Sequence, residues 1–582
     1  MEPRLVYRFL RQVSDWVVDG YYSEVVVEGK ENVPKHGPLI VSPNHPNEII
    51  DIATLTISMP HQEERFVSYW TMSTMFRNPL VGSFLRASGA IPVVRSSPKS
   101  SSKASSSTAV PNTTSLESTS RPKSRGEAEA ELSVRARLFE ETTRVLAKNG
   151  GGVVGLFPEG GSYTGWRIFQ VRPGAAWSAV EYSRAKKENG WEGPEVVIVP
   201  TAITYTDKSK FLSRVHVRFG EPISSVPYLE ELFDDSEDVD PNAAASSVAS
   251  KMTEELEKRL TEMTVHASDW ETICAVRAAR QILWTDEDSI RMEDWVGVSQ
   301  RLADALDGSG DSAEVKDALA KYDTLLQHAG VKHSVLTSLR PFDFGHPLLS
   351  LIFGLPRALV RLIPFLPPFL LFLPGYLTGL LAEKVFRTRY EEAKTQIKGV
   401  FGGLGVGISI LTAFTLLWRA PSEFVVRRLV LGNKERSSVT GKGVQVIYSV
   451  GVIYVCLTAL WRWHKLLVKE NYVGFQRLTT LWKLSRSSKS SNVDIQPYTK
   501  PVYPAASPFV KPKIMLKDGS ELPVDPAAFK RPRPISASKI LPSVLEAKND
   551  GATLLVSYLG NAKNEGLRRY LVDRGANLHV SD

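Results

Sequence analysis

Residue types suited to acid–base chemistry stand directly after the apolar run PLIVSPN, in the block that begins with His45 and continues to Asp51. A histidine at the end of a strand, with a carboxylate one to two helical turns later, can form a general base and its orienting partner. Asp51 and Glu48 are both candidates for that carboxylate. Most His–Asp pairs in proteins are structural, so this block alone assigns no activity.

Two further blocks contain groups suited to binding phosphate. Arg95 ends the apolar run GAIPVVR, and its planar guanidinium matches a phosphate group. The block LFPEGGS places Glu159, Gly160, Gly161 and Ser162 in one tight turn after a strand-like run. Exposed backbone amides, a hydroxyl and a carboxylate in such a turn can hold a phosphate or a hydroxyl group. A plain β-turn is the alternative, because Gly-Gly favours that as well.

The elements that must position these blocks are predicted from the alternation of short apolar runs and helical segments between residues 23 and 225. This pattern predicts an α/β domain with a largely parallel sheet covered by helices. Residues 96–129 interrupt it and are rich in serine, with few large apolar groups. Such a segment buries too little surface to offset its ordering entropy, so we predict a disordered insert there.

The second half of the chain is predicted to contain a helical region at 226–340 and a membrane region at 345–462. Residues 399–418 and 443–461 carry no charge and have the length of a membrane-spanning helix. Residues 347–382 contain several prolines, which favours a re-entrant or interfacial element. Buried core helices of a large soluble protein are the alternative. Residues 470–582 are predicted to form a linker and a C-terminal helical tail.

The first 22 residues interleave Arg4, Arg8 and Arg11 with apolar residues, which predicts a basic amphipathic helix and no cleavable signal peptide. This helix would lie at a membrane interface or dock on the domain as a surface helix.

The net charge of +8 favours anionic lipid headgroups or phosphate ligands as partners, whereas no motif for nucleic acid is present. Two cysteines exclude a disulfide framework or cysteine-based zinc site and indicate a reducing compartment.

Together with VIVPTA, in which Pro200 interrupts a buried strand, the three blocks resemble the glycerol-phosphate and lysophosphatidate acyltransferase superfamily over residues 23–225. The FPEGGS block is the most specific part of the resemblance. Five residues separate His45 from Asp51, where the usual family pattern has four. This longer spacing and the FPEGGS block are most similar to the fungal-type glycerol-3-phosphate (dihydroxyacetone-phosphate) O-acyltransferases.

The resemblance implies a role for each residue of these blocks. His45 would be the general base and Asp51 its orienting acid. Pro200 would belong to the acyl-CoA side of the site. The residues expected to bind the acceptor, chiefly its phosphate, are Arg95, Glu159, Gly160, Gly161 and Ser162.

The function implied by the resemblance is acyl-CoA-dependent acylation of glycerol 3-phosphate, or also of dihydroxyacetone phosphate, to give lysophosphatidate for phospholipid and triacylglycerol synthesis. Acyl-CoA would be the donor substrate, and neither a cofactor nor a metal is expected. The family implies a multi-pass protein of the endoplasmic reticulum membrane with a cytosolic acyltransferase domain. The alternatives are an acyltransferase for lysophosphatidate or another lysolipid, and a catalytically inactive membrane scaffold. A transporter role would require polar groups within the two best spans, which contain no charged residue.

Overall fold

The computed structural model describes residues 3–60, 65–94, 125–148, 151–234, 240–308, 310–388, 390–419, 439–486, 494–505, 507, 510, 512–515 and 520–578. The predicted α/β architecture is confirmed. One sheet of eight strands organises the first part of the chain, in the order β1-β7-β6-β2-β5-β3-β4, with β8 beside β6. Its strands are β1 Glu24–Glu28, β2 Leu39–Pro43, β3 Val67–Met72, β4 Ile91–Val93, β5 Val153–Gly155, β6 Val197–Tyr205, β7 Arg214–Phe219 and β8 Ile223–Ser224.

The sheet is mostly parallel, because β2 runs parallel to both β5 and β6, and β3 runs parallel to β4 and β5. The antiparallel pairs among these strands all involve β6, which pairs in this way with β7 and with β8. Helices cover both faces of the sheet. These are α1 Pro3–Tyr21, α2 Glu48–Ser58, α3 Pro79–Ala87, α4 Arg125–Leu146, α5 Gly174–Asn189, α6 Leu229–Leu232 and α7 Pro241–Glu262.

Alternation along the central strand divides the core of this domain into two layers. Ile40 faces the layer that contains α5 and α7, whereas Leu39 and Val41 face the layer that contains α1 and α2. All three side chains are fully buried. Burying a valine, leucine or isoleucine contributes about 1.5–3 kcal/mol. The two apolar layers therefore hold β2 in the sheet and fix the position of the residues that follow it.

The predicted insert at 96–129 differs from the structure at its end. Helix α4 already begins at Arg125, so the last five residues of the predicted segment, 125–129, belong to a helix. The sequence RGEAEAE is rich in glutamate and alanine, which favour a helix, whereas its lack of large apolar residues predicts a loop. Residues 96–124 lie outside the described part of the chain.

A helical region follows the sheet and contains α8 Trp270–Leu283, α9 Met292–Leu306, α10 Asp311–Ala329, α11 His333–Thr337 and α12 Pro341–Gly345. Three long helices come next, α13 Pro347–Phe386, α14 Glu391–Arg419 and α15 Val439–Ser485. The last described helices are α16 Ala537–Gly560 and α17 Glu565–Val572, and a short hairpin pairs β9 Lys513–Met515 with β10 Glu521–Pro523.

The C-terminal part is packed into the helical region. Ile540, Leu541 and Val544 of α16 share one apolar core with α8, α9 and α10. The linker predicted from residue 470 begins later in the structure, because α15 extends to Ser485. The composition of this segment is typical of a linker. Its helix is stabilised by contacts with distant elements, because Leu481 is fully buried in the core formed by α8, α9, α10 and α16.

Within the described residues, two helices are long and apolar enough to cross a membrane, Pro347–Phe386 and Glu391–Thr415. Only 22% and 6% of their most apolar windows are buried inside the protein, so they differ from the core helices of a soluble fold. The predicted span 399–418 lies within α14, and the predicted span 443–461 lies within α15.

Helix α13 is continuous through the prolines that favour a re-entrant or interfacial element at 347–382. Prolines 356, 364, 367, 368 and 374 all lie inside it. Proline removes a backbone donor, yet apolar helices tolerate it where a neighbouring helix or a hydroxyl side chain satisfies the backbone. The Thr378 hydroxyl of α13 donates to the carbonyl of Phe401 of α14 at 2.8 Å, so the two neighbouring helices are hydrogen-bonded. Phe365 and Phe372 are buried against His464 of α15.

Candidate active site

His45 and Asp51 lie together at the C-terminal end of β2. The strand ends at Pro43, and α2 begins five residues later at Glu48. The Nδ1 atom of His45 lies 2.8 Å from Oδ2 of Asp51, and the carboxylate is fully buried. A carboxylate on Nδ1 fixes the tautomer that leaves Nε2 free as a base. The arrangement is therefore suited to removing a proton from an alcohol.

Two more donors hold the Asp51 carboxylate in place. The backbone N–H of Asn47 donates to Oδ2 at 2.6 Å, and the hydroxyl of Tyr205 donates to Oδ1 at 2.7 Å. Burial raises the pKa of Tyr205 well above its usual value, so its hydroxyl remains a donor at physiological pH. Tyr205 ends β6, and sequence reasoning did not identify it.

Glu48, the other candidate for the orienting acid, has different contacts. It adopts a left-handed backbone conformation with φ 46°, which costs a residue other than glycine about 1–3 kcal/mol. Its backbone N–H donates to Oγ of Ser162 at 3.1 Å. Burial, followed by the nearby Glu392, raises the pKa of its half-buried carboxyl. In the structure it is thus Asp51 that contacts the imidazole, while Glu48 connects α2 to the FPEGGS turn.

Asn44 fixes the residue before the histidine to the neighbouring strand. Its side-chain oxygen accepts from the N–H of Ile203 at 2.6 Å, and its Nδ2 donates to the carbonyl of Ile203 at 3.2 Å. Its own N–H donates to the carbonyl of Thr201 at 3.1 Å. These three hydrogen bonds hold the residue before His45 against β6. In the sequence, the asparagine of PNHP was their only signal.

The FPEGGS turn contacts His45 from two sides. The ring of Phe157 stacks on the imidazole with centroids 4.0 Å apart. Oε1 of Glu159 accepts from the backbone N–H of His45 at 2.6 Å. Burial raises the pKa of Glu159, which is only 4% exposed. The carboxylate predicted to bind the acceptor therefore points at the backbone of the histidine, and its role as an acceptor ligand stays a prediction.

Gly160 allows a cation to approach the turn. It has φ +72°, and a Cβ there would lie 2.7 Å from Nε of Arg172. Arg172 is exposed, and its backbone N–H donates to the carbonyl of Pro158 at 2.8 Å. Gly161 is buried and Ser162 half-buried. Sequence reasoning gave Arg172 no role, although the basic residue in QVRPG was a visible signal.

The two remaining predicted residues have different outcomes. Arg95 lies outside the described residues, and β4 before it ends at Val93. Pro200 is buried in β6 in register with Ser42 of β2, and its carbonyl accepts from the N–H of Gly220 at 2.8 Å. Its role on the acyl-CoA side stays a prediction. Among the residues that the structure describes, no group of three or more His, Cys, Asp or Glu side chains is arranged to hold a metal.

Part of this chain is similar to known acyltransferases. Residues 24–204 match the family model described as Acyltransferase. Glycerol-3-phosphate O-acyltransferase 2 of Saccharomyces cerevisiae is 26% identical over 254 residues, which cover 43% of this chain and 32% of the relative. Glycerol-3-phosphate O-acyltransferase 1 of the same yeast is 23% identical over 460 residues, which cover 68% and 58%. The predicted resemblance to the fungal-type enzymes is thereby confirmed.

Two other proteins are similar to this chain. An uncharacterized acyltransferase of Schizosaccharomyces pombe is 22% identical over 433 residues, covering 65% of this chain and 62% of that protein. The crystal structure of a 1-acyl-sn-glycerophosphate acyltransferase from Thermotoga maritima has 18% identity and a TM-score of 0.26, covering 45% of this chain and 79% of that one. A TM-score this low supports no conclusion about the site. The chain spans between about a third and three fifths of the length of the three curated relatives.

Proposed function

We propose that this chain, of which residues 24–204 match the Acyltransferase family model, transfers a fatty acyl group from acyl-CoA to a hydroxyl of glycerol 3-phosphate. The observation that carries the proposal is the His45–Asp51 pair, with its Nδ1–Oδ2 distance of 2.8 Å, beside the FPEGGS turn. The product would be lysophosphatidate, a precursor of phospholipids and triacylglycerol.

In the proposed mechanism Nε2 of His45 takes the proton of the acceptor hydroxyl. The hydroxyl oxygen forms a bond to the thioester carbonyl carbon, the carbon–sulfur bond breaks, and coenzyme A leaves as a thiolate that takes up the proton. Asp51 stabilises the imidazolium that forms between these steps, because its carboxylate contacts Nδ1. General-base catalysis of this kind contributes about 10²–10⁴ in rate.

The proposed acceptor is glycerol 3-phosphate, which agrees with the names of the yeast relatives and with a cation beside the FPEGGS turn. Both yeast relatives carry that activity in their names. In addition, the exposed guanidinium of Arg172 lies against Gly160 and offers a positive charge for the phosphate at the FPEGGS turn. Arg95 is proposed as a second cation for the same group. Dihydroxyacetone phosphate and lysophosphatidate also carry a phosphate, and the experiment below distinguishes the three acceptors.

We further propose that the protein is bound to the endoplasmic reticulum membrane with its acyltransferase domain in the cytosol. The poorly buried apolar helices α13 and α14 support membrane binding. On α1, Leu5, Phe9 and Trp16 form one exposed apolar stripe, while Val6 and Val18 on other faces are buried. Helix α1 thus docks on the domain and still presents an apolar surface, which suits a position at the membrane interface.

Membranes containing the purified protein should be assayed with acyl-CoA and each of three acceptors: glycerol 3-phosphate, dihydroxyacetone phosphate and lysophosphatidate. We expect transfer to glycerol 3-phosphate, and a loss of about 10²–10⁴-fold in His45→Ala. The control is His36→Ala, which alters an exposed histidine and should retain activity. An active His45→Ala enzyme would contradict the mechanism. Preference for lysophosphatidate would identify a lysolipid acyltransferase, and inactivity with all acceptors would support a scaffold.

A further inference from the structure

The first turn of α14 places a buried acid beside the FPEGGS turn. Glu392 is 4% exposed, and its Oε2 accepts from the hydroxyl of Thr164 at 2.9 Å. Thr164 follows the FPEGGS block by two residues, whereas Glu392 lies 228 residues later in the chain. A buried carboxylate costs free energy unless it is hydrogen-bonded, so this contact is more specific than apolar packing of a membrane helix would require.

The same turn also contacts the segment that carries the histidine. The hydroxyl of Thr395 donates to the carbonyl of Lys208 at 2.6 Å, and Nζ of Lys208 donates to the carbonyl of Pro46 at 2.9 Å. Pro46 is the residue directly after His45. One helical turn further along α14, a Cβ at Gly399 would lie 3.9 Å from Ile50 of α2.

The first turn of α14 therefore contacts the candidate active site from two sides. Glu392 contacts the loop after FPEGGS, and Thr395 supports the lysine that binds the carbonyl next to His45. Glu392 is also close enough to Glu48 to raise the pKa of that carboxyl. Glu48 in turn donates its backbone N–H to Ser162 of the FPEGGS turn.

We propose that Glu392 is a positioning residue for the acceptor-binding loop, which it holds through the hydroxyl of Thr164. The polar first turn of α14 is then a component of the active site, and the apolar helices do more than bind the protein to the membrane. This inference rests on the proposed function for its kinetic consequence, since the loop in question is the proposed acceptor site. The contact itself is independent of which acceptor the enzyme uses.

The kinetic test compares Glu392→Ala and Thr164→Val with the conservative variants Glu392→Gln and Thr164→Ser. A lost hydrogen bond to a charged group should raise the KM for the acceptor about 10-fold. The KM for acyl-CoA should remain unchanged, and the conservative variants should stay near wild type because they keep an acceptor or a hydroxyl. Glu391→Ala, a half-buried neighbour on the same turn, is the matched control.

The double variant Glu392→Ala/Thr164→Val separates a direct pair from two unrelated defects. If the two residues act as a pair, the double variant is no worse than either single variant. Additive effects, equal changes in the KM of both substrates, or no change in either would overturn the proposal.

Amide hydrogen exchange of the purified protein provides a test that does not depend on activity. Glu392→Ala should increase deuterium uptake in residues 157–170, while Glu391→Ala should leave it unchanged. Unaltered uptake in Glu392→Ala would overturn the proposal even if the enzyme is active. Wild-type protein that is inactive on all three acceptors would contradict the proposed function, and the exchange result would still decide the role of Glu392.

Discussion

At the scale of single residues, the Asp51 carboxylate is held by three donors: the His45 ring, the Asn47 N–H and the Tyr205 hydroxyl. Their distances lie between 2.6 and 2.8 Å, and both oxygens are used. A carboxylate held in this way cannot rotate to release the imidazole without breaking other bonds. The geometry of His45 is therefore fixed before any substrate is bound.

Asp51→Asn should lower kcat by about 10²–10⁴-fold, because an amide on Nδ1 neither stabilises the imidazolium nor reliably selects the active tautomer. Glu48→Gln should retain kcat within a few-fold, since the side chain of Glu48 does not hold the imidazole and its backbone contact to Ser162 is kept. Steady-state kinetics at saturating substrates measures both. A large loss confined to Glu48→Gln would show that Glu48 orients the histidine.

Glu159→Gln should change the pH dependence of stability. Burial raises the pKa of Glu159 in the folded state, so the folded state binds its proton more tightly than the unfolded state does. That contribution to the free energy of unfolding is present at low pH and is lost as the pH rises through the folded pKa. The amide of the variant does not titrate, so the Tm of the variant relative to wild type should be higher at pH 7.5 than at pH 5.

Thermal unfolding at the two pH values measures this difference, and Glu140→Gln, at a strongly exposed surface position, is the control. A difference in Tm that is independent of pH would show that Glu159 titrates alike in both states.

The resemblance of the sequence blocks to one family predicted His45, Asp51 and the FPEGGS residues as one site. It did not predict the contacts that cross the sheet. Tyr205 reaches Asp51 over 154 residues and Asn44 reaches Ile203 over 159, and both depend on the register of β6 beside β2. Register is set by the packing of whole strands, which the local pattern does not contain.

At the scale of elements, the pair α13–α14 is held together by close backbone approach. A Cβ at Gly405 would lie 2.5 Å from the carbonyl oxygen of Pro374, and one at Gly375 would lie 2.6 Å from Val406. Glycines at such positions let apolar helices approach more closely than larger residues permit. Gly407, two residues further along α14, has nothing within 4 Å of its Cβ position.

Gly405→Leu should therefore separate the two helices and destabilise the protein by about 1–3 kcal/mol, the usual cost of overpacking. Gly407→Leu is the matched control and should be close to neutral, because its side chain would enter open space. The Tm of each detergent-solubilised variant is measured from the loss of its monodisperse peak on heating. Equal Tm values for the two variants would contradict the packing of α13 on α14.

Element lengths were predictable where apolar runs define them, and less so elsewhere. The uncharged run 399–418 identified α14, but the helix starts at Glu391 with a polar turn that hydropathy does not detect. The prolines of α13 favoured a re-entrant or interfacial element, whereas α13 is one continuous helix that packs against α15. Both differences arise because tertiary contacts extend or preserve helices beyond what composition alone supports.

At the scale of the whole molecule, the helical region connects the sheet domain to the C-terminal part. The buried Arg214 of β7 donates to the carbonyls of Ile290 and Glu287, each at 2.7 Å. Helix α16 then packs its buried face into the core of α8, α9 and α10. We therefore expect the sheet domain, the helical region and the C-terminal helices to unfold as coupled units.

Leu541→Ala should destabilise the protein by about 2–5 kcal/mol, because Leu541 is fully buried in that shared core. The control Val572→Ala removes a side chain that is 46% exposed on α17 and should cost little. Tm in detergent, together with protease sensitivity of the sheet domain, measures the coupling. If Leu541→Ala made α16 sensitive to protease and left the protease sensitivity of residues 23–225 unchanged, the C-terminal part would fold independently.

The loop after FPEGGS has a consequence for synthesis on the ribosome. Thr164 binds Glu392, the ring of Trp166 packs against Tyr503, and Arg167 pairs with Glu521 at 2.6 Å. The hydrogen-bond partners of the His45–Asp51 pair lie before residue 206, so that pair is complete in a nascent chain long before these three partners emerge. The outer contacts of the loop arrive only after α13 and the start of α14 have been translated. The order of synthesis thus allows the His45–Asp51 pair to form first and the loop to be fixed last.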